Sequence, residues 1–223
     1  RAVGDAIDAT VDLDAPDRTY DVEVRGDDAY VSATTYPGPG GLPLGTQDPL
    51  VALVSGGHDS PVAAYEAMRR GAPVVPLYVS LGDYGGPDHE ARAVATVRRL
   101  ARYAPNFDCR LRIVPGGPLA DTLHGEVGDT RMLSWRRTLL TVAETVADRE
   151  GAVGIVTGEA LGQKSSQTAA NLAVTDAAVD LPVHRPLLTW DKTAIVDRAR
   201  DIGTDDDSSI AVGCERLAPP FPE

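Results

Sequence analysis

The chain reads as an α/β protein in which a doubly wound, mostly parallel sheet follows a partial α+β segment. Two features predict this. From Asp48 onward, short apolar runs of strand length alternate with longer stretches of helical periodicity, the order required by a parallel sheet covered on both faces. Ahead of them, two runs of alternating apolar and polar residues flank Arg25-Gly26-Asp27-Asp28 and read as one hairpin. With 223 residues there is room for one good core and a small appendage.

Taken in order, residues 1–10 have a helical pattern without a cap. The first residue is Arg rather than Met, so an N-terminal portion is expected to lie outside the sequence. Residues 20–24 and 29–33 form the hairpin, and two strands with one short helix are too little for an independent core. Tyr36-Pro37-Gly38-Pro39-Gly40-Gly41-Leu42-Pro43-Leu44-Gly45-Thr46-Gln47 is dense in turn formers and marks the domain boundary. The expected division is 1–37, a linker at 38–48, and 49–223. Within the last, buried strands are expected at 50–54, 74–79, 111–114 and 153–157, and helices at 61–70, 89–103, 132–150 and 192–202. Ligands of such sheets bind beyond the carboxyl ends of the strands, which places Ser55, Tyr78, Pro115 and Gly158 at the site.

Composition narrows the function classes. There are 33 acidic residues against 21 Lys and Arg, a net charge of −12, and only two lysines, Lys164 and Lys192. An acidic surface of this kind suits high salt, where carboxylates hold water; a GC-rich coding sequence gives the same bias. Residues 91–140 nevertheless hold nine Arg and four acids, a local charge of +5 that leaves −17 for the remainder. That region reads either as a contact for a phosphate backbone or as a set of solvated helix faces. No stretch approaches the ~20 apolar residues of a membrane span and no signal peptide opens the chain, so no membrane partner is expected. Cys109 and Cys214 are the only cysteines, too few for a disulfide framework and without metal-ligand spacing. A reducing, cytoplasmic setting suits them.

Chemistry concentrates in Val51-Ala52-Leu53-Val54-Ser55-Gly56-Gly57-His58-Asp59-Ser60-Pro61. An apolar strand runs into a small, hydroxyl-rich turn and then a helix, so backbone N–H groups and the positive helix end converge on one spot fit for phosphate. Ser55, Gly56, Gly57 and Ser60 supply donors and close approach. Asp59 has the wrong charge for phosphate unless Mg²⁺ lies between them. No Gly-Lys-Ser/Thr follows, which excludes a Walker loop. A second loop at 157–168, Thr157-Gly158-Glu159-Ala160-Leu161-Gly162-Gln163-Lys164-Ser165-Ser166-Gln167-Thr168, is poor core material and suits the other side of a nucleotide.

The first loop resembles the SGGxDS signature of the PP-loop ATP pyrophosphatases, Rossmann-like proteins that cleave ATP between its α and β phosphates. With the second loop, the Gly40-to-Gln47 segment and Arg185-Pro186-Leu187-Leu188-Thr189-Trp190-Asp191-Lys192, the resemblance narrows to the tRNA 4-thiouridine synthetases, also called thiamine-biosynthesis sulfurtransferases. It runs from about Arg1 to Cys214 and fits the archaeal type, without a rhodanese domain. It implies that 1–37 is the C-terminal part of a THUMP-like RNA-binding domain ahead of a PP-loop domain. It also implies ATP contacts at Leu53, Val54, Tyr78, Val79, Arg136, Gly158 and Gln167, with Asp59 in the pyrophosphate loop, a needed lysine at Lys192, and sulfur transfer at Cys214.

The implied reaction is adenylation of a tRNA uridine and replacement of its C4 oxygen by sulfur. ATP and Mg²⁺ serve as cofactors, the metal held at Asp59 through pyrophosphate. Partners are tRNA and a persulfide donor such as a cysteine desulfurase, with a homodimer allowed. The residues agree chemically: cations stabilise the departing pyrophosphate, and a thiolate or persulfide displaces AMP. Lys192 also reads as a solvated first-turn residue, Cys109 as a small hydrophobe, Cys214 as a core thiol, and His58 as packing or solvent-facing. Residues 80–89 depart from the His-rich stretch of that family. Two other readings stay open, a PP-loop ligase acting on an amine or carboxylate and a nucleotide- or tRNA-binding module without turnover.

Overall fold

The computed structural model describes Asp12, residues 14–205 and Leu217. The chain divides into two compact units, Arg1–Gly40 and Gly41–Glu223. The helix expected at 1–10 lies outside the described residues. In the first unit β1 (Asp21–Arg25) and β2 (Asp28–Ser32) pair antiparallel, with Arg25 opposite Asp28 across a two-residue turn that begins at Gly26. Val22 faces Val31 and Val24 faces Ala29, so the apolar side chains share one face, as the alternation requires.

The second unit is a five-stranded, all-parallel sheet in the order β5-β4-β3-β6-β7. Its strands are β3 (Leu50–Leu53), β4 (Val74–Ser80), β5 (Arg112–Pro115), β6 (Ile155–Val156) and β7 (Val183–His184). The chain winds outward from β3 through β4 to β5, then returns to the other side of β3 for β6 and β7. Helices α1 (Asp59–Arg69), α2 (Gly86–Leu100), α3 (Gly117–Glu126), α4 (Arg131–Glu150), α5 (Ala169–Asp176) and α6 (Lys192–Asp201) make the crossovers and cover the sheet. The short α3, α5 and β7 extend what the pattern of the sequence predicts.

Alternate strand residues feed two cores. Ala52, Val54, Val74, Tyr78 and Val156 pack with residues of α1, α2 and α6. Val51, Val75, Leu77, Val79 and Ile155 pack with residues of α3 and α4, among them Trp135 and Leu140. Double burial explains why these strands read as continuous apolar runs rather than alternating ones. Pro76 sits in the middle of β4, where a missing N–H would break a ladder. Here Pro73 and Leu77 direct their carbonyls to β3 and Ser80 directs its own toward the β5 side, so Pro76 also turns toward β5. Pairing with β5 starts only at Leu77, and no ladder bond is lost.

Candidate active site

The winding reverses between β3 and β6, which opens a crevice beyond their carboxyl ends. From β3 the chain enters the loop 54–58 and then α1. The Ser55 N–H donates to Ser60 Oγ at 3.0 Å, and the two hydroxyls lie 3.4 Å apart, which folds the loop over the first turn of α1. Gly56 has φ +74°, and a Cβ there would press on Arg92 Cβ at 3.2 Å. From the other side of the crevice, Gly158 lies against the start of α1: an added Cβ would stand 2.6 Å from Asp59 C and Ser60 N, a distance backbone atoms do not tolerate. A glycine is required for the two loops to meet.

They meet around a cavity of about 660 Å³. Leu53, Val54, Ser55, Asp59 and Ser60 line it from the first loop, Tyr78 and Val79 from the end of β4, and Arg136 from α4. Gly158, Gln167 and Lys192 complete the expected set. Gly56 and Gly57 shape the loop behind this wall, and Pro115, at the end of β5, is outside it. Lys192 opens α6, and its Nζ reaches Asp59 Oδ1 at 2.5 Å, so an exposed cation of the cavity wall and the loop acid form an ion pair; Lys164, also exposed, lines the cavity from the second loop. Cys214 lies outside the described residues; Leu217, three positions further along, lines the cavity.

Several contributors went unrecognised in the sequence. Glu159 is buried, and its carboxylate holds three hydrogen bonds: Oε1 accepts from Arg136 Nη1, while Oε2 accepts from Arg185 Nε at 2.8 Å and Thr157 Oγ1 at 3.0 Å. Gln167, with its amide turned to satisfy both ends, donates to the Ala160 carbonyl at 2.8 Å and accepts from Arg136 Nη2 at 3.1 Å. Trp135 and Leu140 supply an apolar wall. The signal was present in part, since Trp135 is one of two tryptophans and adjoins Arg136, and Glu159 stands inside the second loop.

His89 connects the end of β4 to the first loop. Its Nδ1 lies 2.9 Å from the Tyr78 hydroxyl, and it hydrogen-bonds the Ser55 backbone. Burial, with Arg92 nearby, pushes this imidazole below its ordinary value, against the pull of the Ser55 bond. Burial thus favours the neutral form of the ring that links β4 to the loop. His58 pairs with Asp205 at 2.8 Å. Cys109 is buried and its thiol is pushed up to about 11, chiefly by that burial, which makes it a packing residue without a ready thiolate.

Most arginines of the basic region 91–140 are structural. Arg92 is buried. Arg110 and Arg112 pair with Asp108, and Arg112 also holds Glu150. Arg131 and Arg137 bond backbone carbonyls, and Arg136 bonds Glu159. Arg98 and Arg102 are exposed, and so is Arg110 despite its pair with Asp108. Among the described residues no three His, Cys, Asp or Glu side chains converge to hold a metal. Glu159 is engaged by two arginines and Thr157, which leaves Asp59 as the cavity-lining carboxylate beside which a divalent cation would sit. No helix among the described residues is long and apolar enough to cross a membrane.

The chain is similar to known proteins. Residues 45–222 match the family model described as ThiI, thiamine biosynthesis protein. A probable tRNA sulfurtransferase of Halobacterium salinarum is 64% identical over 221 residues, which are 99% of this chain and 56% of that protein. A tRNA sulfurtransferase of Pyrobaculum aerophilum is 41% identical over 195 residues, 87% of this chain and 40% of its own. The chain thus spans about half the length of the curated relatives it matches. Among solved structures, a 4-thiouridine synthetase–RNA complex with bound ATP superposes with a TM-score of 0.87 at 32% identity, over 99% of this chain and 58% of that one.

Proposed function

The chain belongs to the thiamine biosynthesis protein (ThiI) family, and from that premise we propose that it adenylates a tRNA uridine and replaces its C4 oxygen with sulfur, giving 4-thiouridine. The observation that carries this reading is the cavity at the switch point, where the Ser55-to-Ser60 loop, Arg136 and the Asp59–Lys192 pair converge. ATP fits with its base beside Leu53, Val54, Tyr78 and Val79, and with Gly158, Gln167 and Arg136 around the ribose and phosphates. Residues 1–37 are, in this reading, the C-terminal part of a THUMP-like domain, 38–48 a linker, and 49–223 the PP-loop domain.

The loop N–H groups and the start of α1 hold the pyrophosphate portion. Mg²⁺, when bound beside Asp59, offsets charge on that portion. The C4 oxygen of the uridine attacks the α phosphate and pyrophosphate leaves; Lys192 and Arg136 stabilise the charge that develops, in a site already organised for it. A persulfide donor such as a cysteine desulfurase loads Cys214. The outer sulfur of the Cys214 persulfide attacks C4, the C4–O bond breaks and AMP departs. An external thiol reductant then attacks the Cys214 sulfur, so that the S–S bond breaks, the sulfur stays on C4 and Cys214 is left in a disulfide with that thiol. Such a reaction belongs in the cytoplasm.

The decisive experiment is ATP–pyrophosphate exchange with and without tRNA, followed by analysis of the tRNA for 4-thiouridine. Exchange that depends on tRNA and thiolated product are expected. Exchange without tRNA, stimulated by an amine or carboxylate, would identify a different PP-loop ligase, and ATP binding without exchange would leave a binding module.

A further inference from the structure

We propose that Arg185 is a positioning residue that acts through Glu159 to keep Arg136 available to an anionic ligand. The inference rests on the reading that Arg136 meets the nucleotide. Arg185 does not line the cavity; its side chain is 8% exposed and lies behind Glu159. Its Nη1 and Nη2 form a fork on Asp176, at 3.0 and 2.5 Å, which aims Nε at Glu159 Oε2, 2.8 Å away. Thr157 Oγ1 bonds the same oxygen.

The consequence falls on Arg136. A carboxylate with two free oxygens takes a guanidinium in a two-bond fork, satisfying both partners. Here Arg185 and Thr157 occupy Oε2, so Glu159 offers Arg136 only Oε1, and that bond goes to Nη1. Nη2 is bonded to Gln167. Nε is buried and has no partner among the described residues. A buried donor without an acceptor is unfavourable, and the imbalance is relieved when a ligand oxygen enters the cavity that Arg136 lines. Were Arg185 absent, Glu159 would be free to close on Arg136 with both oxygens and compete with the ligand. The four charges, Arg136, Glu159, Arg185 and Asp176, sum to zero, so the brace aims a cation without adding net charge to the site.

The test is ATP binding, measured by calorimetry beside a thermal melt of each variant. Arg185→Leu should weaken ATP binding about tenfold, the equivalent of one charge-assisted hydrogen bond. Adding Glu159→Gln to Arg185→Leu should recover most of that loss, because an amide lacks the second anionic oxygen needed to capture Arg136. A merely structural role predicts the opposite, a double variant no better than the single one, and that result would overturn the proposal. So would an unchanged affinity in Arg185→Leu. If Arg185→Leu fails to fold, Asp176→Asn releases the fork from a half-exposed carboxylate and should weaken ATP binding about threefold; no loss there overturns the proposal equally. Arg136→Ala separates the two claims, since unaltered ATP binding in that variant removes Arg136 from the nucleotide site, whatever Arg185 does.

Discussion

Asp59 and Lys192 stand 133 positions apart and 2.5 Å from one another, and the pair can be read as structure or as machinery. Solvent reaches half of the Lys192 side chain, so the pair is screened and contributes at most about 1 kcal/mol to stability. Lys192→Met should therefore leave the thermal midpoint close to that of the parent while pyrophosphate exchange falls by at least about a hundredfold, as for loss of one preorganised donor. A large fall in the midpoint with exchange preserved would make it a structural tie. His89 permits a test by pH. Its folded-state pKa is lowered, so as pH falls below the ordinary value of 6.5 the unfolded chain takes up the proton first, and stability declines until the folded-state value is passed. The contribution is intact above 6.5 and lost below it. In His89→Gln, which keeps a neutral donor and acceptor, thermal midpoints recorded between about pH 8 and pH 5 should fall less steeply than in the parent. Parallel curves would assign the acid sensitivity to other groups.

At the scale of elements, the site depends on how closely the loop after β6 approaches the start of α1. Gly158→Ala places a methyl group 2.6 Å from backbone atoms of Asp59 and Ser60, and the neighbour is a helix end rather than a flexible side chain. Overpacking of this kind costs roughly 1–3 kcal/mol, because one element must move. The expected result is a lower unfolding midpoint in denaturant together with weakened ATP binding, since the displaced element is the one that presents Asp59 and Ser60. Gly154→Ala makes a useful comparison: its Cβ would meet side-chain atoms of His184 and Leu50 at 2.9–3.1 Å, away from the cavity, so it should affect stability more than binding. Equal effects of the two variants on ATP affinity would mean that the contact at Gly158 has no special part in the site. The elements that went unread in the sequence are α3, α5 and β7. Two residues of β7 and eight of α5 are too few for a period to stand out, and their form is set by packing against longer neighbours.

Across the whole molecule, most of the arginines behind the charge excess of region 91–140 are bonded to groups of the protein itself. Arginines bond carbonyls at helix ends and pair with acids, a use of guanidinium forks that an arginine count cannot separate from a binding surface. Arg98 and Arg102 are exposed candidates for a phosphate backbone, whereas Arg110, also exposed, is paired with Asp108. If they contact tRNA, Arg98→Gln combined with Arg102→Gln should reduce the slope of log affinity against log salt by up to about two, with ATP binding unchanged. An unaltered slope would leave both as solvated residues of the last turns around α2 and move the search for the RNA surface elsewhere. The comparison belongs in a chain of the relatives' full length, at matched salt.

What the sequence determined by itself was local. A strand feeding Ser55-Gly56-Gly57-His58-Asp59-Ser60, and apolar runs long enough to be buried on both faces, state the α/β class and one wall of the site, because backbone approach, helix ends and side-chain period depend on neighbours in the chain. The tertiary structure alone decided which charges meet. Nothing in a linear reading joins Asp59 to Lys192, sets Arg185 behind Glu159, or separates buried Arg92 from exposed Arg98. Those pairings form only when the sheet's winding reverses at β3 and β6 and brings distant loops to one crevice, and the energy that selects them is desolvation and geometry at that crevice, which have no counterpart in the order of residues.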